Sequence, residues 1–162
     1  MRIGHGYDIH RLVVGRPLVL GGVVVPSDLG LAGHSDADVL THAVIDALLG
    51  AAALGDIGAH FPDTDEAWRG ADSLDLLRTV VERLGAAGFR VSNVDATVVL
   101  ERPKLRDHID TMRAGLAAAM SVDVGRVSVK ATTGEGMGFV GTGEGAAAHA
   151  VALVEETPGD GP

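Results

Sequence analysis

Apolar and polar positions alternate over the first residues, with Ile3 against Gly4 and Tyr7 against Asp8, and this period of two predicts a strand. Two short apolar runs, PLVL and VVVP, flank Gly21-Gly22 and predict a hairpin. The period then changes. Across HSDADVLTHAVIDALLGAAAL, Val39, Leu40, Ala43, Val44, Ala47, Leu48 and Ala51 recur at helical spacing. Ser35 followed by Asp38 resembles a capping box at its start, and Gly55 supplies a stop. The segment DIGAHFPDTDEAWRGAD predicts a long polar loop, of the kind that often carries function. SLDLLRTVVERLGAAG predicts an amphipathic helix capped by Ser73 and ended near Gly88. VSNVDATVVL predicts a strand, and Ile109, Met112, Arg113, Leu116 and Met120 mark a helix from Arg106 to Met120. VSVKA predicts a strand, TTGEGMGFVGTGEG a glycine-rich turn, and AAAHAVALVEE a last strand.

Strands and helices are thus partly segregated along the chain. That order predicts an α+β fold, one domain over residues 1–155, with a mixed β-sheet and helices packed on one face. Residues 156–162 read as a flexible polar tail.

Composition sharpens this picture. Hydrophobic residues make up 46% of the 162 positions but aromatics only 3%, so the core must be built from Ala, Val and Leu with close backbone contacts. The net charge of −9 argues against nucleic-acid binding, which needs an excess of Lys and Arg. With no cysteine, disulfides and thiolate metal sites are excluded, and any metal must use His and carboxylates. MRIGHGYD reads as neither a signal nor a transit peptide, and no apolar run approaches the ~20 residues of a membrane span. A cytoplasmic protein without membrane contact is the expectation.

The candidate chemistry begins with Asp8 and His10, two apart in a strand and therefore on one face. His42 lies one helical turn after Asp38 and one before Asp46. Such a stripe faces either solvent or a site. Two His and one Asp are what a catalytic zinc takes while keeping its fourth position open. Asp38 or Asp46 is then placed to accept from His42 and set its tautomer. Asp56, Asp63 and Asp65, with Phe61 and Pro62, suit sugar hydroxyls, a second divalent ion, or water alone. Glu135 offers a carboxylate for Mg²⁺ beside a substrate phosphate, and Thr132, Thr133 and the neighbouring glycines offer phosphate donors. Arg102, Lys104 and Arg106 add positive charge, and His34 precedes a helix N-terminus that would favour an anion. His5, His60, His108 and His149 show no partner pattern, and His5 falls on the face opposite Asp8.

Taken in order, GHGYDIHRL, LGGVVVP, AGHSDADVLTHAVIDALLGAAALGDIGAHFPDTD, GADS, NVDATVV, RPK and VSVKATTGEGMGFVGTGEG resemble the 2-C-methyl-D-erythritol 2,4-cyclodiphosphate synthase family, from residue 1 to about residue 155. The resemblance implies cyclisation of 4-diphosphocytidyl-2-C-methyl-D-erythritol 2-phosphate with release of CMP, in the non-mevalonate route to isoprenoid precursors. It implies one Zn²⁺ per site on Asp8, His10 and His42, and Mg²⁺ or Mn²⁺ held by Glu135 with the substrate diphosphate. It assigns His34 and Thr133 to phosphate and transition-state stabilisation, with Ser35 beside the former. Asp56, Ile57, Gly58, Phe61, Pro62, Asp63, Thr64 and Asp65 match the methylerythritol-binding segment. Leu100, Glu101, Arg102, Pro103, Lys104, Leu105 and Arg106, with Ala131 and Thr132, match the cytidine and phosphate pocket. Gly134, Glu135, Phe139 and Thr142 complete the implied contacts from the last turn.

The family assembles as a homotrimer with sites between subunits, so a trimer is expected. Thr142 stands where many members carry a basic residue facing a cavity on the threefold axis, which weakens the expectation of an isoprenoid diphosphate there. Gly134 and Gly136 replace bulkier residues, and RPKLR is more basic than in many relatives. Two other readings use the same residues. One is a zinc-dependent phosphoester hydrolase; the other is a non-enzymatic, metal-stabilised trimeric binding module.

Overall fold

A computed structural model describes residues 1–157. The first strand, β1 (Arg2–Val14), extends well past the predicted alternation. β2 (Leu18–Leu20) and β3 (Val23–Val25) form the predicted hairpin, with Gly21 and Gly22 at φ 58 and 74 in its turn. Positive φ at both turn positions is what a tight two-residue turn requires, and glycine supplies it without steric cost. β4 (Leu29–Leu31) was not foreseen: three residues are too few for a period to show. The remaining elements are α1 (Val39–Ala51), α2 (Ile57–His60), α3 (Ser73–Ala86), β5 (Phe89–Val99), α4 (Ile109–Met120), β6 (Val127–Thr132), α5 (Gly138–Gly141) and β7 (Gly145–Glu156).

The main sheet has the order β4-β1-β7-β5-β6. Its pairs are antiparallel except β5–β6, which is parallel, so the sheet is mixed as expected. Helices α1, α3 and α4 pack on one face of it. Alanines set how close they lie. Ala146, Ala148, Ala150 and Ala152 alternate inward from β7, and Ala43, Ala47 and Ala51 recur along the facing side of α1. Gly4 and Gly6 of β1 complete the contact: a Cβ on Gly6 would stand 1.9 Å from the Ala43 carbonyl oxygen, and one on Gly4 2.0 Å from that of Ala47. The helix therefore rests directly on the strand backbone. This closeness puts His42 beside the end of β1 that carries Asp8 and His10.

Several boundaries differ from the sequence expectation. Asp38, not a Ser35–Asp38 box, caps α1: its carboxylate accepts from Thr41 N at 3.0 Å and from Thr41 Oγ1 at 2.7 Å. The same carboxylate accepts from the amides of Gly21 (2.9 Å) and Gly22 (2.8 Å), tying the helix start to the β2–β3 turn. The helix ends at Ala51, ahead of Gly55. Asp72, rather than Ser73, caps α3. The long loop contains α2 and a 3₁₀ turn, Glu66–Trp68, and the glycine-rich turn contains α5. The tail's first residue, Glu156, is still paired in β7, Thr157 N donates to the Gly88 carbonyl at 2.8 Å, and residues 158–162 lie outside the described residues. Among the described residues no helix is long and apolar enough to cross a membrane.

Among the described residues, only the short α5, against the start of β7, touches the second face of the sheet. Ile3, Tyr7, Ile9 and Val151 are exposed on it, with His5 and His149 between them.

Candidate metal centre and active site

Alternation along β1 sends Gly4, Gly6, Asp8 and His10 to the helix-facing side. The two glycines lie under α1, and the strand then runs past the start of that helix, where His42 sits in its first turn. Three ligand atoms converge there. His42 Nδ1 and His10 Nε2 each lie 3.0 Å from Asp8 Oδ2 and 3.3 Å from one another. Among the described residues this is the group of three His and carboxylate side chains placed to share an ion. A tetrahedral zinc with bonds of about 2.0–2.1 Å needs ligand atoms about 3.3 Å apart. The donor set fits.

Both histidine tautomers are determined by what lies behind them. His10 Nδ1 is 2.6 Å from the Ala32 carbonyl, which only accepts, so Nδ1 carries the proton and Nε2 presents its lone pair. His42 Nε2 is 2.9 Å from Ser73 Oγ. That hydroxyl donates to the Asp36 carboxylate, and Ser73 N donates to the other Asp36 oxygen at 3.0 Å. Ser73 must therefore accept from Nε2–H, leaving His42 Nδ1 free to ligate. Buried Ser35 supports the same ring, its hydroxyl 3.3 Å from Nε2 while accepting from Ala37 N.

The electrostatics suit a cation. Burial alone would raise the Asp8 pKa, but hydrogen bonds and charge from His10 and His42 outweigh it and hold the carboxyl down at about 2. Burial likewise disfavours the His10 imidazolium, yet the hydrogen bond to Asp8 and its charge, with the Ala32 carbonyl, push that pKa above its usual value. A bound divalent ion would take the place of that proton.

The expected partners of His42 are corrected here. Asp38 is fully buried as the cap of α1, and Asp46 accepts from Ile57 N at 2.7 Å. Helical spacing put all three on one stripe, but the ring leans toward α3 and finds Ser73 instead. Ser73 and Asp36 are 37 residues apart. No local pattern links them, so sequence reasoning missed both.

Over the triad opens a cavity of about 450 Å³. His34 and Ser35 line one side; Ile57, Gly58, Phe61, Pro62 and Asp63 line the other, with Trp68, which the sequence did not single out. Phe61 packs edge-on against Trp68, centroids 5.0 Å apart. Asp46, by holding Ile57, places that wall. Not every residue of the segment faces the cavity. Asp56 caps α2 through Ala59 N, Thr64 is exposed, and Asp65 caps the 3₁₀ turn while its carbonyl accepts from His34 Nε2 at 3.1 Å.

Residues 1–155 match the YgbB family. The chain belongs to the YgbB family. Within it, the chain is 68% identical over 155 residues to the 2-C-methyl-D-erythritol 2,4-cyclodiphosphate synthase of Salinibacter ruber, covering 96% of this chain and 99% of that one. A solved 2C-methyl-D-erythritol-2,4-cyclodiphosphate synthase in its CDP-bound form is 40% identical with a TM-score of 0.87, covering 95% of this chain and all of that one. The bifunctional IspDF of Campylobacter jejuni gives a TM-score of 0.92 at 41% identity; 96% of this chain aligns with 42% of that longer one.

The other residues matched to the family's substrate sites gather elsewhere in this YgbB chain. A second cavity, about 420 Å³, brings Leu100, Pro103, Lys104, Leu105 and Arg106 against Ala131, Thr132 and Thr133 of β6 and its exit. Arg102 lines an adjoining groove with Asp28, which shares Pro103 and Lys104 with this cavity. Glu101 accepts from Gly134 N at 2.9 Å, fastening that loop to the last turn. Glu135, exposed and at φ 52, accepts from Thr133 Oγ1 at 2.6 Å. Phe139 and Thr142 lie on and just after α5, with Thr142 Oγ1 donating to the Gly138 carbonyl at 3.0 Å. The two cavities share no residue within one chain.

Proposed function

We propose that this chain carries the activity named in its relatives. It converts 4-diphosphocytidyl-2-C-methyl-D-erythritol 2-phosphate into 2-C-methyl-D-erythritol 2,4-cyclodiphosphate and releases CMP, as a step toward isoprenoid precursors. The observation that carries the reading is the convergence of Asp8 Oδ2, His10 Nε2 and His42 Nδ1 at the mouth of a cavity large enough for a phosphorylated polyol, in a YgbB chain. A cytoplasmic setting goes with a charged, diffusible substrate.

Zn²⁺ on Asp8, His10 and His42, and Mg²⁺ or Mn²⁺ on Glu135, would supply the Lewis-acid charge that neutralises the diphosphate during transfer. The chain's own residues do the positioning. Phosphoryl transfer asks little covalent work of a protein; alignment of attacking and leaving oxygens and charge neutralisation account for most of the rate. His34 lines the cavity beside the triad with its Nε2–H on the Asp65 carbonyl, and that N–H would turn to a phosphate oxygen only by releasing the carbonyl. Ile57, Gly58, Phe61 and Asp63 form the wall against which the methylerythritol sits, excluding water that would otherwise attack the phosphorus. In the second cavity, Lys104 and Arg106 hold the nucleotide phosphate and the Leu100–Leu105 loop takes the cytidine, while the Thr133 hydroxyl, which donates to Glu135, would be free for the diphosphate once that carboxylate turned to a divalent ion.

The chain works as a homotrimer. Two observations support that reading: the second sheet face carries Ile3, Tyr7, Ile9 and Val151 in contact with solvent, and the two cavities that one substrate must span are separate within one chain. In a trimer the metal side of one chain meets the nucleotide side of its neighbour.

Incubation of the zinc-loaded protein with the diphosphocytidyl substrate tests the assignment. CMP with a cyclic diphosphate is the expected result. CMP with a linear phosphate would mean that water is the nucleophile and the protein a hydrolase. No turnover, with a metal-dependent melting temperature, would mean a binding module.

A further inference from the structure

In the wall beside the triad, Ile57, Gly58, Pro62, Asp63 and Trp68 are partly or fully exposed, and only Phe61 is buried. Two groups hold its ring. Trp68 meets it edge-on, and the Arg83 guanidinium lies over it, 5.0 Å from the ring centroid. A guanidinium within about 6 Å of an aromatic centroid is attracted to the ring face. Arg83 projects from α3, the helix whose first residue, Ser73, orients His42.

Arg83 also grips the residue before Phe61. One guanidinium N–H donates to His60 Nδ1. The tautomer of His60 allows this: Nε2 lies 2.8 Å from the Leu54 carbonyl, which only accepts, so Nε2 carries the proton and Nδ1 keeps its lone pair. His60 thereby passes the hold of Arg83 to the chain entering α2. One side chain of α3 thus fixes two successive residues of the wall, by charge on the ring and by a hydrogen bond to the imidazole.

We propose that Arg83 is a positioning residue: it sets Phe61, and through Phe61 the sole tryptophan, Trp68, in the shape that receives the polyol before substrate enters. For its kinetics this rests on the reaction assigned above; for the order of the wall it rests on the fold alone. Arg83 does not line the cavity, so it acts through Phe61. Its loss weakens substrate binding and leaves the triad intact, because Ser73 and Asp36 hold His42 independently.

The test compares the zinc-loaded wild type with Arg83→Met, which keeps length without charge or donor, and Arg83→Lys, which keeps both. In Arg83→Met, KM for the diphosphocytidyl substrate should rise about 5- to 30-fold with kcat within about 2-fold, the split expected when binding common to ground and transition states is lost. Zinc affinity should match the wild type, and acrylamide should quench Trp68 fluorescence more strongly. Arg83→Lys should recover most of the KM and of the shielding. Unchanged KM and quenching in Arg83→Met, or a lysine variant as impaired as the methionine one, would overturn the proposal. A wild type that releases no CMP would sink the assigned reaction alone, since quenching reads the hold on the wall without substrate.

Discussion

The Ser73 hydroxyl accepts from Nε2 of His42 at 2.9 Å while donating to Asp36, and this relay sets which nitrogen faces Asp8. Replacing Ser73 by Ala removes the acceptor and lets the ring adopt the other tautomer, or rotate. Zinc affinity is expected to fall about 10- to 100-fold, as outer partners of ligating histidines generally cost. The fold should persist, since Asp72 still caps α3. Competition against a chromophoric chelator measures the change; an unaltered affinity would show that the ring is oriented by packing alone.

Asp38 accepts from Gly21 N, Gly22 N, Thr41 N and Thr41 Oγ1 while fully buried. Asp38→Ala would strand the buried donors of Gly21 and Thr41 without water. A loss of about 3 kcal/mol or more in unfolding free energy is expected. Urea denaturation of the metal-free protein reads it directly, and a loss under about 1 kcal/mol, the value of an ordinary exposed cap, would contradict the buried staple.

Gly6 permits the close approach of β1 and α1. In Gly6→Ala the new methyl group meets the Ala43 carbonyl oxygen, an atom of backbone that cannot swing aside. The helix must move off the strand, at a cost of about 1–3 kcal/mol, and it carries His42 with it. Weaker zinc binding and lower stability should appear together. A variant as stable as the wild type with full zinc affinity would show that the strand and helix have room to spare.

How much of this was legible beforehand depended on sequence distance. The pair Asp8 and His10 on a strand, and His42 on a helix whose apolar period was complete, could be read because each pattern is local. The alanine and glycine content pointed to close packing, and Gly4, Gly6 and the Ala43–Ala47–Ala51 stripe are where it occurs. What stayed hidden were contacts between distant segments. Ser73 reaches His42 across 31 residues and His5 meets His149 across 144. Helical spacing alone assigned Asp38 and Asp46 to His42, yet Asp38 turned to the hairpin and Asp46 to Ile57. Elements of three or four residues, such as β4, α2 and α5, were too short to show a period.

Protons and zinc compete at the triad. The His10 pKa is raised in the metal-free fold, so its pair with Asp8 stabilises that fold below the usual histidine value and the contribution is lost as pH rises through the raised pKa. Asp8, held at about 2, contributes above the usual carboxylate value and loses that contribution as pH falls toward about 2. From the usual histidine value of about 6.5 up to the raised one, zinc must displace the proton that His10 retains. The rise in melting temperature on adding zinc should therefore grow with pH across this range. Scans with zinc and with chelator at each pH measure it, and an increment that stays flat would mean that His10 is not a ligand.

The most direct measurement of the central claim pairs metal content with product for two proteins, the wild type and His42→Ala. After exposure to zinc and desalting into buffer without free metal, the wild type should retain one tightly held zinc per chain and release CMP with the cyclic diphosphate. His42→Ala should retain none and release no CMP, while its far-ultraviolet spectrum stays that of the folded protein. A His42→Ala protein that keeps its zinc, or that turns over without it, would contradict the account.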